Sequence, residues 1–248
     1  MAHGFRHGSS GKLRKVPVLN EEYPKDVSAG EVGESVAFDV LISEVGNPNE
    51  YTYQWYYDGI AVNGATEAQY TTNAEYGTHN VFCVVSNEAG YVTSRTATVT
   101  ATVRYILKKG TDYSALTGGW NYSYNSAGKS PSFGSSGIVL DYTSSEGGYS
   151  CAYTKNKIDF TKYSTLTCVI NTTRTYKASS SSAGFRLLVC GKNSGQLPSQ
   201  VDCVAQSDRL NSVGAHTITL NVSSINALYY VGLWSFGNTI TVSEVKLS

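Results

Sequence analysis

The chain has 248 residues, with 19 Lys and Arg balancing 19 Asp and Glu, so its formal net charge is zero and only 15% of it is charged. It lacks the basic excess that nucleic acid or an anionic membrane surface requires, and no apolar run approaches the ~20 residues that span a bilayer. With 24 Gly, 19 Tyr and only 5 Pro, the composition predicts short strands and tight turns, over a length sufficient for two cores.

Residues 1–22, beginning "MAHGFRHGSSGKLRKVPVLN", are rich in Gly, Ser and basic side chains and offer little to bury. They predict an extended N-terminal arm. No apolar stretch follows its charges, so a Sec leader is not expected. His3 and His7 stand at i, i+4, but Gly4 opposes the helix that would bring them together, and both are expected to be solvated.

From residue 23 to 105 the pattern is alternation at period two. "ESVAFDVLI" puts Val36, Phe38 and Val40 on one face. "YTYQWYYDG" puts Tyr51, Tyr53, Trp55 and Tyr57 on one face and ends on the turn signal Asp58-Gly59. "AQYTTNA", "HNVFCVVSN" and "VTSRTATVTATV" follow as further strands. Six or seven such strands without helical periodicity predict a β-sandwich.

"GESVAFDV", "YQWYYDG", "YGTHNVFCVVSNEAG" and "TSRTATVTA" together resemble a bacterial or phage immunoglobulin-like domain. Trp55 stands in the place of that family's core tryptophan and Cys83 in the place of its second cysteine. The first cysteine, due near Val40, is absent, and Val81 replaces the corner tyrosine. The resemblance therefore implies an unbonded Cys83 packed against Val40 and Trp55, in a domain without its covalent staple.

Residues 106–248 carry a second series of Gly-, Ser- or Asn-bounded strands: "SGIVLDYTS", "GGYSCAYTKNKIDFTKYSTLTCVINTT", "GFRLLVCGK", "VDCVAQSD", "GAHTITLNVS", "YYVGLWSFG" and "TITVSEVKL". They predict an antiparallel sandwich of jelly-roll type, with "KASSSSAG" as a loop. The fold class is thus all-β: an arm, an Ig-like sandwich over 23–105 and a jelly-roll over 106–248. "KIDFTKYSTLTCVINT" and the closing "YYVGLWSFGNTITVSEVKL" resemble segments of carbohydrate-binding jelly-roll modules, which implies a glycan-binding second domain.

No nucleophile elbow, metal-binding His pair on a helix, phosphate loop or Cys-x-x-Cys is present. Asp141, Glu146 and Asp159 are the carboxylates from which a glycosidase pair would have to be drawn, at a spacing that a sequence does not reveal. The chain is expected to be non-enzymatic and without a cofactor, although a Ca²⁺ held by backbone carbonyls and scattered Asp would leave little trace in a sequence. Aromatic alternation singles out two ligand-binding candidates. In "NALYYVGLWSFG", Tyr230, Trp234 and Phe236 fall opposite Tyr229, Val231 and Leu233; in "GGWNYSYN", Trp120, Tyr122 and Tyr124 alternate likewise. Each set suits either a covered core or a platform on which sugar rings stack.

The arm, running into an Ig-like domain and then a Gly/Ser/Tyr-rich sandwich, is similar to small virion proteins (tail, baseplate or capsid decoration) of phages and prophages of gut Firmicutes. That similarity implies a multimeric virion component, folded in the host cytoplasm and extracellular after lysis. Its arm would bind other virion proteins and its second domain a cell-surface glycan. Two alternatives remain: a bacterial carbohydrate-binding module associated with a glycan-degrading system, and a ligand-free spacer.

Overall fold

The computed structural model describes residues 13–111, 120–124, 128–142, 148–175, 183–195 and 198–248. The described chain is all-β apart from one 3₁₀ turn, Pro198–Gln200. It divides into two compact units, Met1–Thr102 and Val103–Ser248.

In the first unit the strands are β1 (Val18–Leu19), β2 (Val27–Ser28), β3 (Ser35–Asp39), β4 (Ile42–Glu44), β5 (Thr52–Tyr57), β6 (Ile60–Ala61), β7 (Gln69–Asn73), β8 (Gly77–Asn87), β9 (Gly90–Thr93) and β10 (Ala97–Ala101). One sheet has the order β2-β10-β8-β5-β6 with β9 on β8, and β3 pairs with β7. Val36, Phe38 and Val40 alternate inward and join Trp55, Val81, Cys83, Val85 and Val99 in one apolar core. Cys83, opposite Trp55 across the β5–β8 ladder, is a free, fully buried thiol; burial pushes its pKa up to about 11.

Two expectations change here. "ESVAFDVLI" is not one strand: after Asp39 the chain passes from β7 to β1, with Asn20 N–H donating to Leu41 O at 2.8 Å. Inside–outside alternation persists through the switch, so the sequence pattern cannot register it. Residues 13–22, expected in the extended arm, also belong to the packed unit. Lys15 and Asn47 exchange backbone hydrogen bonds at 3.0 and 2.7 Å, β1 pairs with β4, and Leu19 is buried. A two-residue strand is too short to show a period. Residues 1–12 lie outside the described ones.

The second unit contains β11 (Arg104–Leu107), β12 (Trp120–Tyr124), β13 (Ser132–Gly134), β14 (Gly137–Leu140), β15 (Tyr149–Thr154), β16 (Ile158–Asp159), β17 (Thr165–Thr175), β18 (Gly184–Cys190), β19 (Cys203–Gln206), β20 (Gly214–Asn221), β21 (Leu228–Phe236) and β22 (Asn238–Leu247). They form two antiparallel sheets. The first is β13-β14-β22-β17-β20 with β11 on β22; the second is β12-β15-β21-β18-β19 with β16 on β21. Residues 177–182 of the expected loop lie outside the described ones.

Directly opposed residues of antiparallel strands share a face, so the register sorts every side chain. From the first sheet Leu166, Cys168, Ile170, Ile240, Val242, Val245 and Leu247 share the inward face. From the second, Ala152, Leu233 and Leu187 share one face, with Val189 and Val231. All are at most 1% exposed. This is the sandwich core, and at about 25 cal/mol per Å² of buried apolar surface it supplies the main driving force for the unit.

Candidate functional site

The outward face of the first sheet is what water demands. Thr167 stands between Lys246 and Thr219, Val169 between Glu244 and Thr217, and Asn171 between Thr241 and Ala215. Glu244 pairs with Lys246 at 2.8 Å. At one edge Asp141 accepts from Arg174 at 2.9 Å and from Lys129 and Thr239, each at 2.5 Å. Burial alone would raise the Asp141 pKa, but these donors hold it down at about 2. Asp141 is thus a fixed anion tying three strands, unsuited to proton donation. Asp159 is capped locally by Thr161 N–H at 2.9 Å, and Glu146 lies outside the described residues.

The outward face of the second sheet is different. Its register rows are Tyr149–Phe236–Gly184, Cys151–Trp234–Arg186, Tyr153–Gly232–Leu188 and Tyr230–Cys190–Cys203. No Asp or Glu occupies any of these positions. An apolar cluster forms here, centred on Cys151, Tyr153, Leu188, Cys190, Val201 and Trp234, with Tyr149, Cys203, Tyr230 and Phe236 half-buried around it.

One end of this face is roofed by the chain that links β18 to β19. Gly191 and Lys192 donate to Asp202 O and Val201 O, each at 3.0 Å, closing the hairpin's base. Val201 is fully buried. Tyr153 lies across Gly232, where a Cβ would stand 2.8 Å from its ring and 3.2 Å from Leu188 Cβ; any larger residue would push the ring off the sheet. Tyr153 Oη then donates to Gly195 O at 2.9 Å, and Gly195 N–H donates to Ser123 Oγ at 3.2 Å. Burial raises the Tyr153 hydroxyl well above its ordinary pKa, so it remains a donor. Cys190 and Cys203, both free thiols, face each other at 3.7 Å under this roof.

The other end is where rings and cations meet. Tyr149 lies 4.8 Å from Phe236 and 5.7 Å from Trp234, tilted by 40° and 47°. The Arg209 guanidinium sits 5.6 Å from the Trp234 ring. It reaches there because β18 begins at Gly184: a Cβ at that position would stand 2.9 Å from Leu210 O and closer still to Arg209 Cγ. Phe185 and Leu210 exchange backbone hydrogen bonds at 2.8 and 3.0 Å, fixing the Arg209 segment beside the sheet. Arg186 donates through Nη1 to Gln206 Oε1 at 2.5 Å.

Of the six residues expected to bind ligand, the register brings Tyr230, Trp234 and Phe236 to this outward face. Trp234 is only 3% exposed, so it forms the floor of the patch and its half-buried neighbours Tyr149 and Phe236 form the accessible surface. The other three lie on the opposite face, because Trp120, Tyr122 and Tyr124 stand across from Thr154, Ala152 and Ser150. Trp120 is buried, at 6% exposure. Tyr122 and Tyr124 are exposed at 52% and 46%, with rings stacked at 6.3 Å, on β12, the edge strand of the sheet among the described residues. The two sets do not form one strip. Sequence reasoning missed Tyr149, Arg186, Gln206 and Arg209; the alternation of "GGYSCAYT" signalled Tyr149, but the arginines follow only from register.

Other features are less suited to a ligand. An open cleft of about 450 Å³ in the first unit is lined by the turn residues Val62 to Thr66 and by Tyr70, whose ring is already packed against Phe38 and Trp55. His79 pairs through Nδ1 with Asp58 at 2.7 Å. Although burial works against protonation, Asp58 and the Tyr76 carbonyl raise its pKa. The pair fastens the turn after β5. Among the described residues no group of three or more His, Cys, Asp or Glu is placed to hold a metal ion.

No protein-family model matches the chain, and no curated protein matches it. Three solved structures show what it is similar to. A family 29 carbohydrate-binding module from Piromyces equi is 14% identical at a TM-score of 0.37, over 59% of this chain and 89% of that one. Bacteroides uniformis β-glucuronidase 3 is 12% identical at 0.27, over 91% and 24%. The SGBP-B protein of a Bacteroides ovatus mixed-linkage glucan utilization locus, in complex with a mixed-linkage heptasaccharide, is 9% identical at 0.26, over 90% and 95%. At such TM-scores these likenesses carry no argument about what this chain does.

Proposed function

We propose that the chain is a non-catalytic glycan-binding protein whose ligand lies on the outward face of the second sheet, over Tyr149, Trp234 and Phe236. The observation that carries this reading is the asymmetry between the two outward faces of one sandwich. A sheet that faces only water has no use for three clustered rings bordered by two arginines and a glutamine, and among the described residues the outward face of the first sheet carries no cluster of three rings. Ring faces stack on the C–H faces of pyranoses, while guanidinium and amide groups orient the hydroxyls. Tyr122 and Tyr124 are a separate exposed pair on the opposite face.

The test is a titration of the full chain against a panel of soluble polysaccharides, followed by affinity electrophoresis and calorimetry. Retention by at least one polymer is expected, with Tyr149→Ala weakening it by ~1 kcal/mol or more, roughly fivefold. No retention by any polymer would overturn the reading.

The Ig-like assignment of the first unit and the virion role belong to the same reading as its finer parts. The virion role depends on an arm whose residues 1–12 lie outside the described ones. Deleting them should abolish incorporation into particles if the arm is the anchor, and should leave glycan binding intact.

A further inference from the structure

We propose that this face selects an anionic sugar, one bearing a carboxylate or a sulfate, and that Arg186 and Arg209 receive the acidic group beside the Trp234 floor. The inference rests on the glycan-binding reading above and names the class of its ligand.

Two arginines converge on one side of Trp234. Arg186 is its register partner on β18, and the Arg209 guanidinium is 5.6 Å from its ring. They lie close enough that the charge of Arg186, second only to burial, lowers the pKa of Arg209. Two partly desolvated like charges destabilise each other unless an anion joins them.

None of the outward positions that the register defines on this face is acidic. Arg186 makes no ion pair among the described residues, and its side-chain partner there is the neutral Gln206. Its Nε is buried and without a hydrogen-bond partner among those residues. A buried N–H left unpaired is destabilising.

Four other described cations of the unit are held in ion pairs. Lys129 and Arg174 are committed to Asp141, Lys192 to Asp202 and Lys246 to Glu244. Arg186 contrasts with these four in that its side-chain partner is neutral. A planar guanidinium matches a carboxylate bidentately, and a sulfate nearly as well. A ring beside it supplies the stacking surface for the sugar that carries the group. Because the chain as a whole is neutral, the preference is local and does not arise from a general basic field.

The experiment titrates the full chain against three probes at low and physiological salt: a polyuronate such as polygalacturonate, a sulfated polysaccharide such as dextran sulfate, and a neutral β-glucan. Poly-glutamate serves as the non-sugar polyanion. The expected result is binding to an acidic polysaccharide at least tenfold tighter than to the neutral one, without binding to poly-glutamate. Arg186→Gln should lower that affinity roughly tenfold or more. Arg186→Lys, which keeps the charge but loses the fork, should recover part of it. Near-UV circular dichroism and a thermal melt establish that each variant is folded, and Arg209→Gln is the second variant should Arg186→Gln fail that check. The pH arm separates the two acidic groups. Uronate binding should fade as its carboxyl protonates near pH ~3.5, whereas sulfate binding should persist.

Binding of neutral glycan that needs Tyr149 but is indifferent to both arginine substitutions overturns this inference and leaves the glycan reading standing. Absence of binding to every polysaccharide overturns both. Equal binding to poly-glutamate overturns the sugar-specific form and marks the pair as a simple anion site.

Discussion

The two sheets of the second unit bury the same kind of inward face and expose opposite kinds of outward face. Thr167, Asn171, Thr217, Thr219 and Thr241 stand on one, and Tyr149, Tyr153, Trp234 and Phe236 on the other. The inward faces build the core between the two sheets. The polar side therefore shows what the sandwich requires of an outer surface, and the aromatic side shows what has been added to it. Part of that addition is structural, since Tyr153, Leu188 and Cys190 are sealed beneath the link between β18 and β19. The remainder is the patch assigned to the ligand.

Truncation at matched positions sharpens this contrast most. Trp234→Ala should cost about 3–5 kcal/mol in chemical denaturation, as for a core aromatic. Thr219→Ala, on the outward face of the other sheet, should stay within about 0.5 kcal/mol. Equal effects would mean that the two outward faces do not differ as described. Next in size is Gly232→Ala. Its methyl group would meet the Tyr153 ring at 2.8 Å, so a loss of about 1–3 kcal/mol is expected. The roof should loosen with it, seen as faster amide exchange at Gly195 with little change in the first unit.

The smallest effect lies on the polar side. Asp141 is held at about 2 in the fold, below its ordinary 3.8. The sign follows: its contribution to stability is complete above pH ~4 and is lost as pH falls through about 2. A denaturation series across that window should slope downward toward acid, and Asp141→Asn should flatten the slope. An unchanged slope would mean that the carboxylate does not tie β14, β17 and β22 together.

Much of the strand pattern was legible in the sequence, because alternation is a local property. Val36, Phe38 and Val40, or Val231 and Leu233, announce their inward face within a few residues. What alternation does not encode is which strand lies alongside. For that reason "GGWNYSYN" and "NALYYVGLWSFG" look equivalent in sequence, yet the register puts their aromatics on opposite faces of one sheet. Partner choice also hid the break after Asp39 and the docking of residues 13–22. Arg186 and Arg209 were illegible for the same reason: 23 residues apart in sequence, they are brought together by the Phe185–Leu210 backbone pairing and by Trp234, which belongs to a third segment. Tyr149 was the one missed ring that its own strand could have revealed.

The most direct test of the account compares two double variants in one glycan titration. Tyr149→Ala with Phe236→Ala removes the accessible rings of the outward face, and Tyr122→Ala with Tyr124→Ala removes the exposed pair on the other face. The account predicts that the first abolishes binding of whichever polysaccharide the native chain retains, while the second leaves it within about twofold. The reverse pattern, with binding lost only when Tyr122 and Tyr124 are removed, would contradict it.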